Sequence, residues 1–214
     1  MIKAVIFDFD GVLVESVDLK TEAFRKLFKP EGRIIADKVV DYHLRNTGVS
    51  RFNKFKYIYK NILKRKLTKP TFNCLCDRFS NLVMEEVVRA PYVKGAKEFL
   101  DKYAGKYKFF ISSATPQKEI EYIIYKRGMN KYFKKIYGSP NTKVNIVKKI
   151  LRCGKLKPCE VVYVGDSLSD YKAAKSQGAG FIARIKNNKG IFKDVRCIKI
   201  MNLVNLYSAT EKLS

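Results

Sequence analysis

The chain has 214 residues, 46% of them hydrophobic, which suits one medium-sized globular domain or a core domain with a smaller insertion. It contains no run of about 18 apolar residues, so we expect no transmembrane helix, and its start, MIKAVIFDFD, does not resemble a secretory signal. The 44 Lys and Arg residues against 20 Asp and Glu give a net charge of +24, which would attract anions.

The cysteines and the distribution of charge further limit the class of protein and its expected partners. The cysteines are Cys74, Cys76, Cys153, Cys159 and Cys197, and no CxxC pair occurs among them. This pattern argues against a disulfide framework and against a zinc cluster, and it favours a cytoplasmic location. Because the lysines are spread along the whole chain, we interpret the charge as solvated surface and expect no nucleic-acid or membrane partner. The sequence does not show the oligomeric state, and a monomer is favoured.

The predicted elements begin with a buried strand at residues 3–9, KAVIFDF. Apolar residues at helical spacing then predict helices from about residue 16 to residue 89. After that stretch, strands and helices alternate. Strands are predicted at 106–114, 135–138, 161–167 and 180–185, with a candidate edge strand at 197–201; helices are predicted at 95–103, 117–127, 141–151 and 171–177.

This order predicts an α/β fold, a parallel sheet whose strands are joined by right-handed helical crossovers. In such sheets, ligands bind beyond the carboxyl ends of the strands. Three of the predicted strands end in polar residues: Asp8 and Asp10 after the first, Ser112 and Ser113 after the next, and Asp166 and Asp170 after the strand at 161–167. We therefore predict one site at this edge of the sheet.

The residue types indicate which chemistry such a site could perform. Carboxylates without histidine or cysteine form a hard-oxygen site, which suits Mg²⁺. One aspartate could attack phosphorus and form an aspartyl-phosphate, while a second acid two residues further on could act as general acid. A serine hydroxyl, backbone N–H groups and a lysine could stabilise the charge on the phosphoryl oxygens.

Four separated segments carry a family resemblance. DFDGV at 8–12, ISSATP at 111–116, a lysine near 143 and GDSLSD at 165–170 resemble the four motifs of the haloacid dehalogenase superfamily in order and spacing. AAKSQGAGFIARI at 173–185 is also similar to the phosphoglycolate phosphatase and β-phosphoglucomutase branch. The resemblance implies a Rossmann-like core domain, residues 1–15 and 90–214, and an inserted all-helical domain, residues 16–89, which we call the cap.

The resemblance also implies roles for the acids. Asp8 would be the nucleophile and a magnesium ligand. Asp10 would be the general acid and base, with its backbone carbonyl on the metal. Asp166 would ligate the magnesium, and Asp170 would complete or orient that metal shell. Because Asp10 is present, phosphoryl transfer is favoured over dehalogenation and phosphonate cleavage.

The other motif positions would hold the phosphoryl group. Ser113 and the N–H of Ala114 would bind its oxygens, although Ser112 and Ser113 could also merely cap the next helix. Lys143 would balance the charge, with Lys148 and Lys149 as alternatives among many lysines.

The cap would supply specificity from the polar segment RNTGVSR at 45–51. Arg45, Asn46 and Arg51 are the candidates for contact with an anionic substrate, and Lys54 follows one turn later. The alternative is an ordinary helix connection with solvated charges. For His43, the one histidine, a structural role is favoured over contact with the substrate.

These observations favour a magnesium-dependent phosphatase of a small phosphorylated metabolite. The favoured substrate is a sugar phosphate, followed by a phosphorylated short acid or a nucleotide. A phosphomutase of the β-phosphoglucomutase type would use the same residues. Lys20, at a position where such mutases often have histidine, favours hydrolysis. A non-catalytic protein that binds polyanions or nucleic acid is the alternative from another class.

Overall fold

The computed structural model describes residues 1–186 and 190–213. Within these residues, six parallel strands form one sheet in the order β3-β2-β1-β4-β5-β6. The strands are β1 (Ala4–Phe7), β2 (Lys108–Pro116), β3 (Phe133–Ser139), β4 (Val161–Gly165), β5 (Gly180–Arg184) and β6 (Ile198–Ile200). The predicted α/β fold is confirmed, and the candidate edge strand is β6.

The central strands are buried on both faces, as their continuous apolar sequences predict. Successive side chains of β1 point to opposite faces of the sheet. Val5 and Phe7 therefore belong to one hydrophobic cluster and Ala4 and Ile6 to the other. With helices packed on both faces, the sheet holds the residues at its carboxyl edge in fixed positions.

The helices fall into two groups along the chain. Between β1 and β2 lie α1 (Val17–Phe28), α2 (Arg33–Arg45), α3 (Arg51–Tyr57), a π-helical turn (Ile58–Ile62), α4 (Lys69–Arg89) and α5 (Ala96–Tyr103). The later helices are α6 (Gln117–Lys126), α7 (Lys143–Gly154), α8 (Leu168–Ser176) and α9 (Leu206–Glu211). None of the helices in the described part of the chain is long and apolar enough to cross a membrane.

Helix α8 begins three residues earlier than the sequence pattern predicts, at Leu168 rather than Tyr171. The reason is a capping box, in which the Ser167 side chain and the Asp170 side chain satisfy each other's backbone N–H groups. Because its start is polar, apolar periodicity does not detect this first turn. The same carboxylate that caps α8 belongs to the predicted site.

The two connections between the cap and the sheet run side by side. Glu15 N–H donates to the Pro91 carbonyl at 3.0 Å, and Val93 N–H donates to the Leu13 carbonyl at 3.0 Å. Arg127, at the end of α6, donates to the carbonyls of residues 87, 88 and 90 at 3.0, 2.6 and 2.7 Å. The end of α4, which would otherwise leave carbonyls unpaired, is thereby bound to the core.

Candidate active site

Three acids from the carboxyl ends of β1 and β4 come together. β1 and β4 are neighbours, with Phe7 opposite Val164, so the residues that follow these strands are adjacent. The side chains of Asp8, Asp166 and Asp170 each offer an oxygen, and these atoms all lie within 4.8 Å of one another. The structure thus assembles three of the four predicted acids into one cluster.

Lys143 lies inside this cluster. Its Nζ is 2.7 Å from Asp8 Oδ2 and 2.6 Å from Asp170 Oδ1. The other oxygen of Asp170 accepts hydrogen bonds from the Ser167 backbone N–H at 3.1 Å and from the Ser167 hydroxyl at 2.6 Å. With both oxygens engaged, Asp170 is positioned to hold Lys143 against Asp8. Lys148 and Lys149, the sequence alternatives, are exposed.

The crowding of acids changes their protonation. Burial raises the pKa of Asp8 to about 7. The attraction of Lys143 lowers this pKa, whereas the repulsion of Asp170 and Asp10 raises it further. Burial, followed by repulsion from Asp8 and Asp170, raises the pKa of Asp166 well above its usual value. A divalent cation between these carboxylates would reverse both shifts. Their oxygen ligands fit Mg²⁺, which Asp8 and Asp166 would hold, with Asp170 beside them.

Asp10 is directed away from the three-acid cluster, toward the cap. Its Oδ1 accepts from the Ser16 hydroxyl at 2.6 Å, and its Oδ2 accepts from Lys20 Nζ at 2.5 Å and from the Thr115 hydroxyl at 3.0 Å. Burial raises its pKa, but Lys20 and the hydrogen bonds outweigh burial, so the pKa of Asp10 is lowered. The sequence analysis did not identify Ser16 or Thr115, which no motif marks as partners of Asp10.

The end of β2 supplies hydroxyl and backbone groups. Ser113 is buried, and its Oγ accepts from the Thr115 backbone N–H at 3.1 Å, which leaves the hydroxyl proton available to another acceptor. Ala114 and Thr115 line the cavity next to Asp8. The hydroxyl of Ser112 is buried and has no hydrogen-bond partner among the described residues.

A small cavity lies between the cap and these core residues. Its volume is about 50 Å³, far below the roughly 300–1,000 Å³ of ordinary small-molecule pockets, so the cap is closed over the site. The core side is lined by Asp8, Asp10, Ala114, Thr115 and Asp166; the cap side includes Lys20, Phe24, His43, Val49, Arg51, Lys54 and Phe79.

Of the three cap residues predicted to meet substrate, the structure brings Arg51 to this cavity. Its guanidinium group donates to Ser80 at 2.8 Å and binds both carboxylate oxygens of Glu119, in the core. Arg45 and Asn46 do not line the cavity. Arg45 is 76% exposed and pairs with Asp41 one turn earlier on α2, and the Asn46 amide donates to the Tyr42 carbonyl.

A glycine in the segment that follows α2 lies in close contact with the core. The Ser169 hydroxyl donates to the Gly48 carbonyl at 3.2 Å. A Cβ atom on Gly48 would overlap the hydroxyls of Ser167 and Ser169. This segment of the cap therefore lies directly against the start of α8, next to Asp166 and Asp170.

The sequence model of the haloacid dehalogenase-like hydrolases matches residues 5–184, which include all four motifs. This chain belongs to that family. A curated relative, a phosphorylated carbohydrates phosphatase from Thermotoga maritima, is 28% identical over 184 residues, which are 82% of each chain.

Two solved structures have the same fold as this chain. A β-phosphoglucomutase from Clostridium difficile has a TM-score of 0.79 at 17% identity, with 99% of this chain and 98% of that chain covered. A predicted phosphoglycolate phosphatase from Haemophilus somnus has a TM-score of 0.78 at 18% identity, with 98% of both chains covered. The predicted Rossmann-like core with a helical cap matches the fold of these two structures.

Proposed function

We propose that the chain is a magnesium-dependent phosphatase of a small phosphorylated metabolite, with a sugar phosphate as the favoured substrate, and that it acts through an aspartyl-phosphate on Asp8. The observation that carries the proposal is the separation of Asp8 and Asp10. Two acids only two residues apart lie in opposite environments, one in a cluster of carboxylates beside Lys143 and the other among cap donors. Such a division of environments is typical of acids with different catalytic roles.

In the first step, an Asp8 oxygen attacks phosphorus, and the bond from phosphorus to the substrate oxygen breaks. Asp10 donates a proton to that leaving oxygen. Ser113 and the N–H of Ala114 bind the phosphoryl oxygens, and Lys143 offsets their charge. Magnesium, when bound, supplies positive charge that polarises the phosphoryl group and favours ionised Asp8.

In the second step, Asp10 takes a proton from water, whose oxygen forms a bond to phosphorus. The bond from phosphorus to Asp8 breaks, which restores the Asp8 carboxylate and releases phosphate. Having given up its proton in the first step, Asp10 is a carboxylate, the form that its pairing with Lys20 favours. The cap excludes other water until the first step is complete.

Similarity supports the substrate class. The relative from Thermotoga maritima carries the name of a phosphorylated carbohydrates phosphatase, and the family match over residues 5–184 includes the acids, the hydroxyl and the lysine described above. The proposal extends that substrate class to this chain.

The test is phosphate release from a panel of sugar phosphates, phosphorylated short acids and nucleotides, with Mg²⁺ and with chelator. We expect release that requires Mg²⁺ and is lost in Asp8→Asn, while Asp77→Asn, at an exposed position of α4, behaves as wild type. Interconversion of sugar phosphates without net phosphate release would instead establish the phosphomutase. No activity in either assay, together with salt-sensitive binding to polyanions, would favour a non-catalytic binding protein.

A further inference from the structure

Lys54 is a buried cation on the cap side of the active-site cavity. It lies on α3 and is 2% exposed, although lysine is almost never fully buried without a partner. Its Nζ is 2.8 Å from His43 Nδ1 and 5.5 Å from the centre of the Phe24 ring. Neither neighbour carries a negative charge.

The other cations around the cavity are already paired. Lys20 binds Asp10, and Arg51 binds Glu119. Lys143, behind Asp8, binds two carboxylates. Among the described residues, no carboxylate lies within ion-pair distance of Lys54. Asp10 and Asp166 attract it only from a greater distance, so among the described residues Lys54 is the cation of this cavity without a carboxylate in direct contact.

His43 has an unpaired donor next to Lys54. Burial, and then the charge of Lys54, lowers the pKa of His43 to about 2, so its imidazole is neutral. Because Lys54 donates to Nδ1, Nε2 carries the ring hydrogen. Nε2 is buried and has no hydrogen-bond partner among residues 1–186 and 190–213. The Nε2–H group of His43 and the two further N–H groups of the Lys54 ammonium thus lack an acceptor among the described residues.

Leaving these donors without an acceptor is unfavourable. A buried charge needs a partner, and without one its pKa shifts toward the neutral form. Burial, and then repulsion from Lys20, lowers the pKa of Lys54 to about 7. An anion that entered the cavity on a ligand would supply the missing partner and favour the charged ammonium group.

We propose that Lys54, oriented by His43, binds a second anionic group of the substrate, a phosphate or a carboxylate, at the end remote from the phosphoryl group that Asp8 attacks. The inference rests on the proposed phosphatase function and narrows its substrate class to phosphomonoesters with two anionic groups. Lys54 is a specificity-determining residue, and His43 is a positioning residue that acts through it.

The test compares matched substrates that differ in the second anion. 3-Phosphoglycerate is compared with glycerol 3-phosphate, and fructose 1,6-bisphosphate with fructose 6-phosphate. The measured quantity is the ratio of kcat/KM within each pair for wild type, Lys54→Met and Lys54→Arg. Lys56→Met, at an exposed position of the same helix, is the control. The two pairs show whether a carboxylate or a phosphate is preferred.

We expect Lys54→Met to lower this ratio by about 10- to 100-fold, mainly through KM, as loss of a hydrogen bond to a charged group predicts. Lys54→Arg restores part of the ratio, and Lys56→Met leaves it as in wild type. A ratio that changes less than twofold in Lys54→Met, in a variant whose thermal unfolding shows a folded protein, overturns the inference.

A binding measurement separates the inference from the proposed function. In the Asp8→Asn background, fructose 1,6-bisphosphate and fructose 6-phosphate are titrated with and without Lys54→Met. If wild type hydrolyses no phosphomonoester but the bisphosphate preference depends on Lys54, the proposed function fails and the subsite stands. If hydrolysis occurs and neither the ratio nor the binding preference depends on Lys54, the subsite fails and the function stands.

Discussion

Lys20 Nζ, in the first helix of the cap, lies 2.5 Å from Asp10 Oδ2 in the core. The same ammonium group donates to the Thr115 hydroxyl at 2.8 Å, and that hydroxyl donates to Asp10. Both members of the ion pair are largely buried, so solvent weakens their attraction little. The position of the cap is therefore linked to the protonation state of the acid that would exchange protons with the substrate.

Removal of this cation should change the pH dependence of turnover. In Lys20→Met, burial would dominate, and the pKa of Asp10 should rise. Below its pKa, Asp10 cannot take a proton from water, so the acidic limb of the kcat profile should move to higher pH. Phosphate release measured across pH with Mg²⁺ tests this shift. Lys26→Met, at an exposed position of α1, is the control; an acidic limb that stays in place in Lys20→Met would contradict the assignment.

Gly48→Ala should hinder closure of the cap, because the new Cβ would overlap the hydroxyls of Ser167 and Ser169. Displacement of groups by about 1 Å costs roughly 100-fold in rate, so we expect kcat/KM to fall by about 10- to 100-fold. Gly105→Ala is the matched control, since no atom lies within 4 Å of its added Cβ. Equal kcat/KM values for the two variants would show that the contact at Gly48 does not control closure.

The ion pair between Arg51 and Glu119 should contribute to the stability of the whole chain. Arg51 is 5% exposed on its side chain, so Glu119→Gln would leave a buried charge with a weaker partner. We expect the free energy of unfolding to fall by about 3 kcal/mol, as for other buried pairs that lose one member. Urea unfolding measures this change. Glu121→Gln, on the exposed side of α6, should lower the free energy of unfolding much less. An equal decrease in the two variants would show that the Arg51–Glu119 pair does not contribute to stability.

Lys54 should make stability depend on pH above neutrality. Its pKa is 10.5 when unfolded and about 7 when folded, so between these values the unfolded chain binds more protons. The free energy of unfolding of wild type should therefore rise with pH in this range. Lys54→Met has no buried ammonium group, so this source of pH dependence is absent. The amount by which its free energy of unfolding exceeds that of wild type should therefore be largest near pH 7 and decrease toward about pH 10. Urea unfolding across this range tests it; an advantage that does not vary with pH would mean that Lys54 is not a buried charge.

The sequence predicts which core residues lie close together, because the relevant constraints are local. An apolar strand that ends in acids places those acids at the carboxyl edge, and a parallel sheet brings the strand ends together. Lys143 could be chosen over Lys148 and Lys149 by motif spacing, and the structure shows a physical reason. As the first residue of α7, Lys143 faces the acids, whereas the other two lie on the exposed side of that helix.

The cap side of the site depends on contacts between distant segments, which sequence patterns do not contain. The pairing of Arg51 with Glu119 joins residues 68 positions apart, and nothing near Arg51 in sequence indicates it. For Arg45 a local signal exists, since Asp41 lies one helical turn earlier and holds its side chain on the outside. The burial of Lys54 is also non-local, because it requires the packing of α3 against Phe24 and His43.

The bond between Arg127 and the end of α4 limits how the cap can open. Three carbonyls of the cap's return connection accept from one guanidinium of the core, which also stacks over the Tyr92 ring at 4.5 Å. If the cap opens, these bonds would keep this end attached while contacts at Gly48, Lys20 and Arg51 break. Ligand entry would then require a rotation about a pivot near Ala90, in which displacement grows with distance from that point.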